Sequence, residues 1–495
     1  MRVLEQVLSR YHDLNAIQTA LSLMNWDRQV LMPPGGTEAR TAHVGRLSVL
    51  AHEILVSEEF RRAVDDLERA SEPGTPEAAM ARVLQRELRI KTRLPTELVR
   101  RKAQVSGDAY EAWKQAKAEA NFSRLAPFLQ ELFDIARETA ERLGYTEHIY
   151  DPLIDLFEEG ATHADAARMF EQIKQPIVDL VRQIQERGSQ PDDRVLRRDW
   201  DQEKLREVAE AMARAIGYDF ERGRLDIAPN AFCTNFGPCD VRMTTRPSEH
   251  LKGIVSSSLH EMGHGLYEQG TPPQWARTPL AGGISLAVHE SQSRTWENIV
   301  GRSRGFWTYF LPKLQAAFPA LDAVSLDDFV KMINRVQPEF IRVGADELTY
   351  NLHILVRFEM ECEILTGEVT IDDMSEAWNA KYEAYLGIRP PNDALGVLQD
   401  VHWSRGSVGY FPTYAMGNMI GAQIWRVLEQ DLGNTDGLMA DGHFKPILGW
   451  LQERVYAQAK LFPPRELVTR ITGRPLETKD WLEYVRGKYR ALFTL

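Results

Sequence analysis

The chain is most informative first through what it has little of. Three cysteines in 495 residues cannot build a disulfide framework. Reduced thiols in the cytoplasm are the expectation, although Cys233 and Cys239 stand close enough in sequence for a bridge. No apolar run reaches the roughly 18–20 residues of a membrane span, and no charged-then-apolar leader pattern opens the chain. Basic charge is in deficit: 59 Lys and Arg against 71 Asp and Glu give a net charge of −12. That balance argues against a nucleic-acid partner, because phosphate recognition wants a basic surface. Repeats and low-complexity linkers are also missing, so no boundary divides residues 1–495, and a single domain is expected.

What remains is mostly helical periodicity. Leu4, Val7, Leu8, Tyr11, Leu14, Ile17, Leu21 and Met24 trace one buried stripe, which ends at the Pro-Pro-Gly-Gly run 33–36. A charged helix follows over about 38–53, and Pro73-Gly-Thr-Pro76 separates the next pair. Residues 83–121 read as solvated helix. Between about 219 and 246, short alternating patterns with Gly and Pro punctuation predict a small sheet. Helix then returns, with a start expected at Pro247–Ser248 and Glu249 in its first turn, another at Ser325, a long one opening at Ala345–Asp346, and more from Thr413 to the end. The expected fold is mainly α: large, two-lobed, with a deep groove and a small β-sheet beside one central helix.

That helix carries His-Glu-Met-Gly-His at 260–264. On an α-helix His260 and His264 lie one turn apart on the same face, so both imidazoles reach one metal. Glu261 is rotated about 100° from His260, placed to work on water beside the metal. Bound zinc brings the pKa of water down to about 7, and a carboxylate can then take its proton. A third protein ligand is needed. Glu268 sits about 12 Å along the axis from His260 and is too far away. Position 270 is glycine, so the extended three-histidine pattern fails. The ligand must therefore come from a separate element, and in the amphipathic stretch 284–296 that follows, Glu290 is the natural candidate and His289 the rival. The glycine-punctuated loop 399–412 offers His402 or Tyr410 as a hydrogen-bond donor to a developing oxyanion.

These residues carry a resemblance. The 260–264 motif followed by His-Glu-Ser-Gln at 289–292 is similar to the Taq-type family of zinc metallocarboxypeptidases. Further blocks stand in order: Asp-Val-Arg-Met-Thr at 240–244, Ile-Arg-Val-Gly-Ala-Asp at 341–346, and Gly-Val-Leu-Gln-Asp-Val-His-Trp at 396–403. The likeness extends to Trp26-Asp27, Met32-Pro33, Thr472-Gly-Arg-Pro-Leu476 and Lys488-Tyr489. One block departs: Asn230-Ala231-Phe232 stands where the family has His-Pro-Phe, which touches substrate preference or loop structure rather than the metal ligands. The resemblance implies a metallocarboxypeptidase acting on peptides with a free C-terminus. It also implies broad preference, a homodimer, and cobalt or manganese serving in place of Zn²⁺. In that setting Arg342 is the expected clamp for the terminal carboxylate, since a guanidinium offers two parallel donors. Asp240 and Arg242 are further candidates for substrate contact. An endo-acting oligopeptidase and a non-catalytic peptide-binding protein are the alternative readings.

Overall fold

The computed structural model describes every residue except Met1, Ser189, Pro247 and Glu249, and omits the side chains of Arg2 and Ile254. Helices α1 (Arg2–Val30), α2 (Thr37–Val56), α3 (Glu58–Ala70) and α4 (Pro76–Arg93) follow one another with short breaks at the predicted prolines and glycines. They share a hydrophobic core of their own, built on Phe60, Val64, Leu84 and Leu88. The α1 stripe lies against this core, but only Val7 and Leu14 of it are fully buried, with the rest half-buried. Arg82 and Arg86 tie this lobe to the remainder through Glu159 and Asp155, each at 2.6 Å.

The second and larger core runs through the rest of the chain. Its sheet has the order β1-β3-β2. Strand β1 (Gly223–Ile227) pairs in parallel with β3 (Val241–Thr245), and β2 (Cys233–Asn235) pairs antiparallel with it. The alternation of β3 turns Val241 and Met243 inward toward the next helix. That helix, Leu251–Gln269, contains the His-Glu-Met-Gly-His motif. Its expected start at Pro247 and Glu249 lies outside the described residues, and His250 is its N-cap, accepting from the Lys252 amide.

A second helix, Leu286–Arg294, returns across the first and continues as a π-helical turn, Thr295–Val300. The two cross closely because Gly263 has no side chain. A Cβ there would lie 2.5 Å from both the Gln292 carbonyl oxygen and Ser293 Cα. On the far side, a Cβ at Gly417 of the helix Pro412–Leu432 would lie 2.7 Å from Glu290 Cβ. The return helix is thus held between two glycine notches. The long helix expected from Ala345 instead begins at Tyr350 and runs to Thr366. Asp346 accepts the amides of Leu348 and Thr349 and the Thr349 hydroxyl, which holds a tight turn ahead of the first helical residue. Among the described residues, no helix is long and apolar enough to cross a membrane.

Candidate active site

The motif helix forms one wall of a cavity of about 770 Å³. The edge strand β2, the return helix and the segments around Arg342 and Tyr410 form the others. His260, His264 and Glu290 present ligand atoms that all lie within 4.8 Å of one another. Glu290 Oε2 is 3.6 Å from His260 Nε2 and 3.7 Å from His264 Nε2. Three ligands at the corners of a tetrahedron with metal bonds of about 2.1 Å stand about 3.4 Å apart, so this donor set fits a single ion of zinc type. No other cluster of this kind occurs among the described residues.

The groups behind the three donors orient them. His260 Nδ1 lies 2.9 Å from Glu297 Oε2, so it donates its proton there and leaves Nε2 free for a ligand. Glu290 directs Oε2 toward the histidines, while Arg294 Nε holds its Oε1 at 2.7 Å. Arg294 also reaches Glu297 at 3.1 Å. Behind His264, Nδ1 meets His289 Nδ1 at 2.8 Å, and His289 Nε2 meets Glu268 Oε1 at 2.5 Å. A proton on each successive donor makes the chain His264→His289→Glu268, again leaving His264 Nε2 with its lone pair. Both rivals from the return helix therefore serve the site at different depths: Glu290 faces the histidines, and His289 supports one of them. Glu268, too distant to be a ligand, anchors that support.

Charge states follow from these contacts. Burial pushes Glu261 up to about 7, with Glu290 and Glu297 adding to it and His260 opposing. Burial disfavours charge on Glu297 too, but Arg294 and His260 hold it down to about 2. Burial and the surrounding cations keep His264 well below the ordinary histidine value. Burial works against charge on His260, but Glu290 and Glu297 push it up to about 9, so a bound cation would take the place of its proton.

The expected substrate residues fare differently. Arg342 borders the cavity, yet its fork is not open: Nε and Nη2 donate to Asp400 Oδ1 at 3.1 and 2.7 Å. Nη1 donates to the Tyr350 hydroxyl at 2.8 Å. Asp400 is shared with the fully buried Arg357. Asp240 and Arg242 pair with each other through two 2.8 Å bonds and do not border the cavity. Arg242 faces away from the motif helix and stacks over Trp26, 4.4 Å from its ring centroid. His402 also stands back from the cavity, with Nε2 3.2 Å from the Tyr414 hydroxyl. Burial, with Arg342 and Arg357 adding, pushes His402 down to about 3. Tyr410 and Tyr414 do border the cavity, and burial pushes Tyr410 up to about 12, so it keeps its proton. Asn230, Ala231 and Phe232 line the rim, pinned by Thr244, whose hydroxyl accepts the Phe232 amide at 2.9 Å. Cys233 and Cys239 are free thiols.

Sequence reasoning missed Glu297, Arg294, Tyr414 and Asp400. For Arg294 and Glu297 a signal was present: they stand four and seven residues after Glu290, the spacing that keeps charged positions on one helix face with it.

The profile of the carboxypeptidase Taq (M32) metallopeptidase family matches residues 6–489. Thermostable carboxypeptidase 1 of Pyrococcus furiosus is 37% identical over 489 residues, covering 98% of each chain. Thermostable carboxypeptidase 1 of Thermus thermophilus is 38% identical over 95% of each. The crystal structure of an M32 carboxypeptidase from Deinococcus radiodurans superposes with a TM-score of 0.97 at 35% identity, covering 100% of both chains.

Proposed function

The chain belongs to the carboxypeptidase Taq (M32) family of metallopeptidases, and from that premise we propose that it is a zinc carboxypeptidase of broad specificity using Glu261 as general base. The observation that carries the reading is the meeting of His260, His264 and Glu290 at tetrahedral spacing, in one cavity with a buried Glu261. These three residues would hold the metal, and zinc there would supply acidity to water and polarisation of the scissile carbonyl. Glu261 takes the proton of the attacking water and returns it to the leaving amine nitrogen, and its burial favours holding that proton between the two steps. Tyr410, protonated and facing the cavity, donates to the oxyanion. His402 acts one step back by orienting Tyr414. Arg342 meets the free carboxylate of the terminal residue along its Nη1 edge beside the Tyr350 hydroxyl, because Asp400 occupies its other edge. Asp240 and Arg242 brace the sheet under α1 and make no contact with substrate. The proposal further comprises a single domain over 1–495 and a homodimer in the cytoplasm that accepts Co²⁺ or Mn²⁺ in place of Zn²⁺.

The test is digestion of paired peptides, one with a free C-terminus and one amidated, by the zinc-loaded protein, read by mass spectrometry. Stepwise loss of single residues from the free acid alone is expected. Internal cleavage of both peptides at similar rates would favour the endo-acting reading instead.

A further inference from the structure

Away from the metal ligands, the cavity wall holds two cations that the described residues match poorly with anions. Lys252, half-buried in the first turn of the motif helix, has no hydrogen bond or ion pair through its ammonium among the described residues. Arg302 is 5% exposed, yet its Nε and Nη1 have no hydrogen-bond partner. Its nearest carboxylate, Glu297, is 3.8 Å from Nη2 and is already shared by His260 and Arg294. Both cations border the main cavity and a small void between the helix start and Gly301.

Among the described residues, the nearby carboxylates Asp193 and Asp346 are committed elsewhere. Asp193 is held by Arg335 at 2.6 Å, with Arg197 at 3.4 Å and His250 at 3.6 Å. Asp346 accepts the turn amides and the Gln337 amide. A buried guanidinium with two unfilled donors beside a half-buried, unpaired ammonium is costly unless an anion arrives from the cavity. The N-terminal end of the helix adds its positive dipole to the same place.

We infer that Lys252 and Arg302 form a subsite for an acidic side chain of the bound peptide, upstream of the scissile bond. The direction rests on the carboxypeptidase reading. Lys252 stands eight residues before His260, about 12 Å along the helix. A carboxypeptidase has a single residue beyond the scissile bond, which cannot span that distance. The upstream chain can, and at about 3.3 Å per extended residue it reaches the subsite within two to four residues. A compact ammonium beside a guanidinium matches a Glu or Asp carboxylate, which Gln cannot replace.

The experiment uses zinc-loaded protein and hexapeptides with a free C-terminus, carrying Glu or Gln at the second, third or fourth residue before the terminal one. At one of these positions the Glu peptide is expected to have a kcat/KM about 10-fold higher than its Gln partner. Lys252→Met should bring that ratio close to one, Lys252→Arg should keep it, and Arg302→Lys should reduce it. Equal rates for Glu and Gln at all three positions, or a ratio that survives Lys252→Met, overturns the subsite while leaving the peptidase reading intact. Acceleration of the Gln peptide by added acetate, abolished in Lys252→Met, makes the occupant a free anion and overturns the peptide assignment. Failure to release a residue from any peptide strikes the peptidase reading first and this inference with it.

Discussion

Gly263→Ala is a small change with a sharply defined expected effect. The added Cβ meets the Gln292 carbonyl oxygen and Ser293 Cα at 2.5 Å, both backbone atoms of the return helix. Ordinary carbon contacts begin near 3.5 Å, so the two helices must part by about 1 Å. The return helix has little room to retreat. Gly417 fits against Glu290 on its other side, and a Cβ at Gly421 would lie 3.0 Å from the Ser291 carbonyl oxygen. Two terms then compete. Alanine gains up to about 1 kcal/mol of helix propensity over glycine. Overpacking against backbone costs about 1–3 kcal/mol. The net stability change of the metal-free protein is therefore small, about 0–2 kcal/mol of loss.

Metal affinity is the sensitive readout. Glu290 Oε2 now stands 3.6 Å from His260 and 3.7 Å from His264, and metal sites tolerate about 0.2 Å of error in bond length. A shift several times that size should weaken zinc binding by at least about 100-fold. The assay is equilibrium dialysis against zinc, with thermal unfolding of the metal-free protein alongside. Gly449→Ala is the control: it lies inside the helix Lys445–Arg454, and its Cβ would meet nothing within 4 Å. It should bind zinc as the wild type does and gain up to about 1 kcal/mol. Wild-type zinc affinity in Gly263→Ala would refute the claim that helix proximity sets the site.

Glu261→Gln should lower turnover by about 10²–10⁴ while zinc content stays near wild type, since the carboxylate serves the water and not the ion; outright loss of zinc on dialysis would make it a ligand. Glu290→Ala should abolish tight zinc binding, whereas His289→Ala should weaken it by about 10–100-fold by freeing His264 from its support; the reverse order would exchange their roles. Asp400→Asn should cost about 3–5 kcal/mol at pH 7, because Arg342 and Arg357 then face each other without a full counter-charge. Burial works against charge on Asp400, but Arg342 and Arg357 hold its carboxyl well below the ordinary value. Its stabilisation is therefore present above about pH 4 and lost as pH falls further, so the denaturant midpoints of the two proteins should converge in acid. A gap independent of pH would remove the charge argument.

Which parts of this were legible in the sequence follows from how far each relation reaches along the chain. His260, Glu261 and His264 are fixed by helical geometry within five residues, and periodicity is enough to place them. Arg242 was equally readable: in β3 its neighbours Val241 and Met243 point toward the motif helix, so a period of two turns Arg242 to the opposite face. Its place in a family block drew it toward the substrate, whereas the pleat turns it toward Trp26 and Asp240. The start of the long helix at Tyr350 turns on whether Asp346 caps a turn or opens a helix, two states with similar local sequence.

The remainder depends on contacts between distant segments. Arg342 has the chemistry of a two-pronged clamp, but Asp400 lies 58 residues away and only the folded chain shows that it fills one edge. The pairing of His289 with His264 requires the crossing angle of two helices, and that crossing depends on Gly263 lacking a side chain. The same contact places Glu290 opposite the histidines and Glu297 behind His260, so ligands and supports are set by one helix packing rather than by separate local signals. A substitution at the crossing should therefore disturb Glu290, His289 and Glu297 together, where a substitution at any one of them disturbs a single arm.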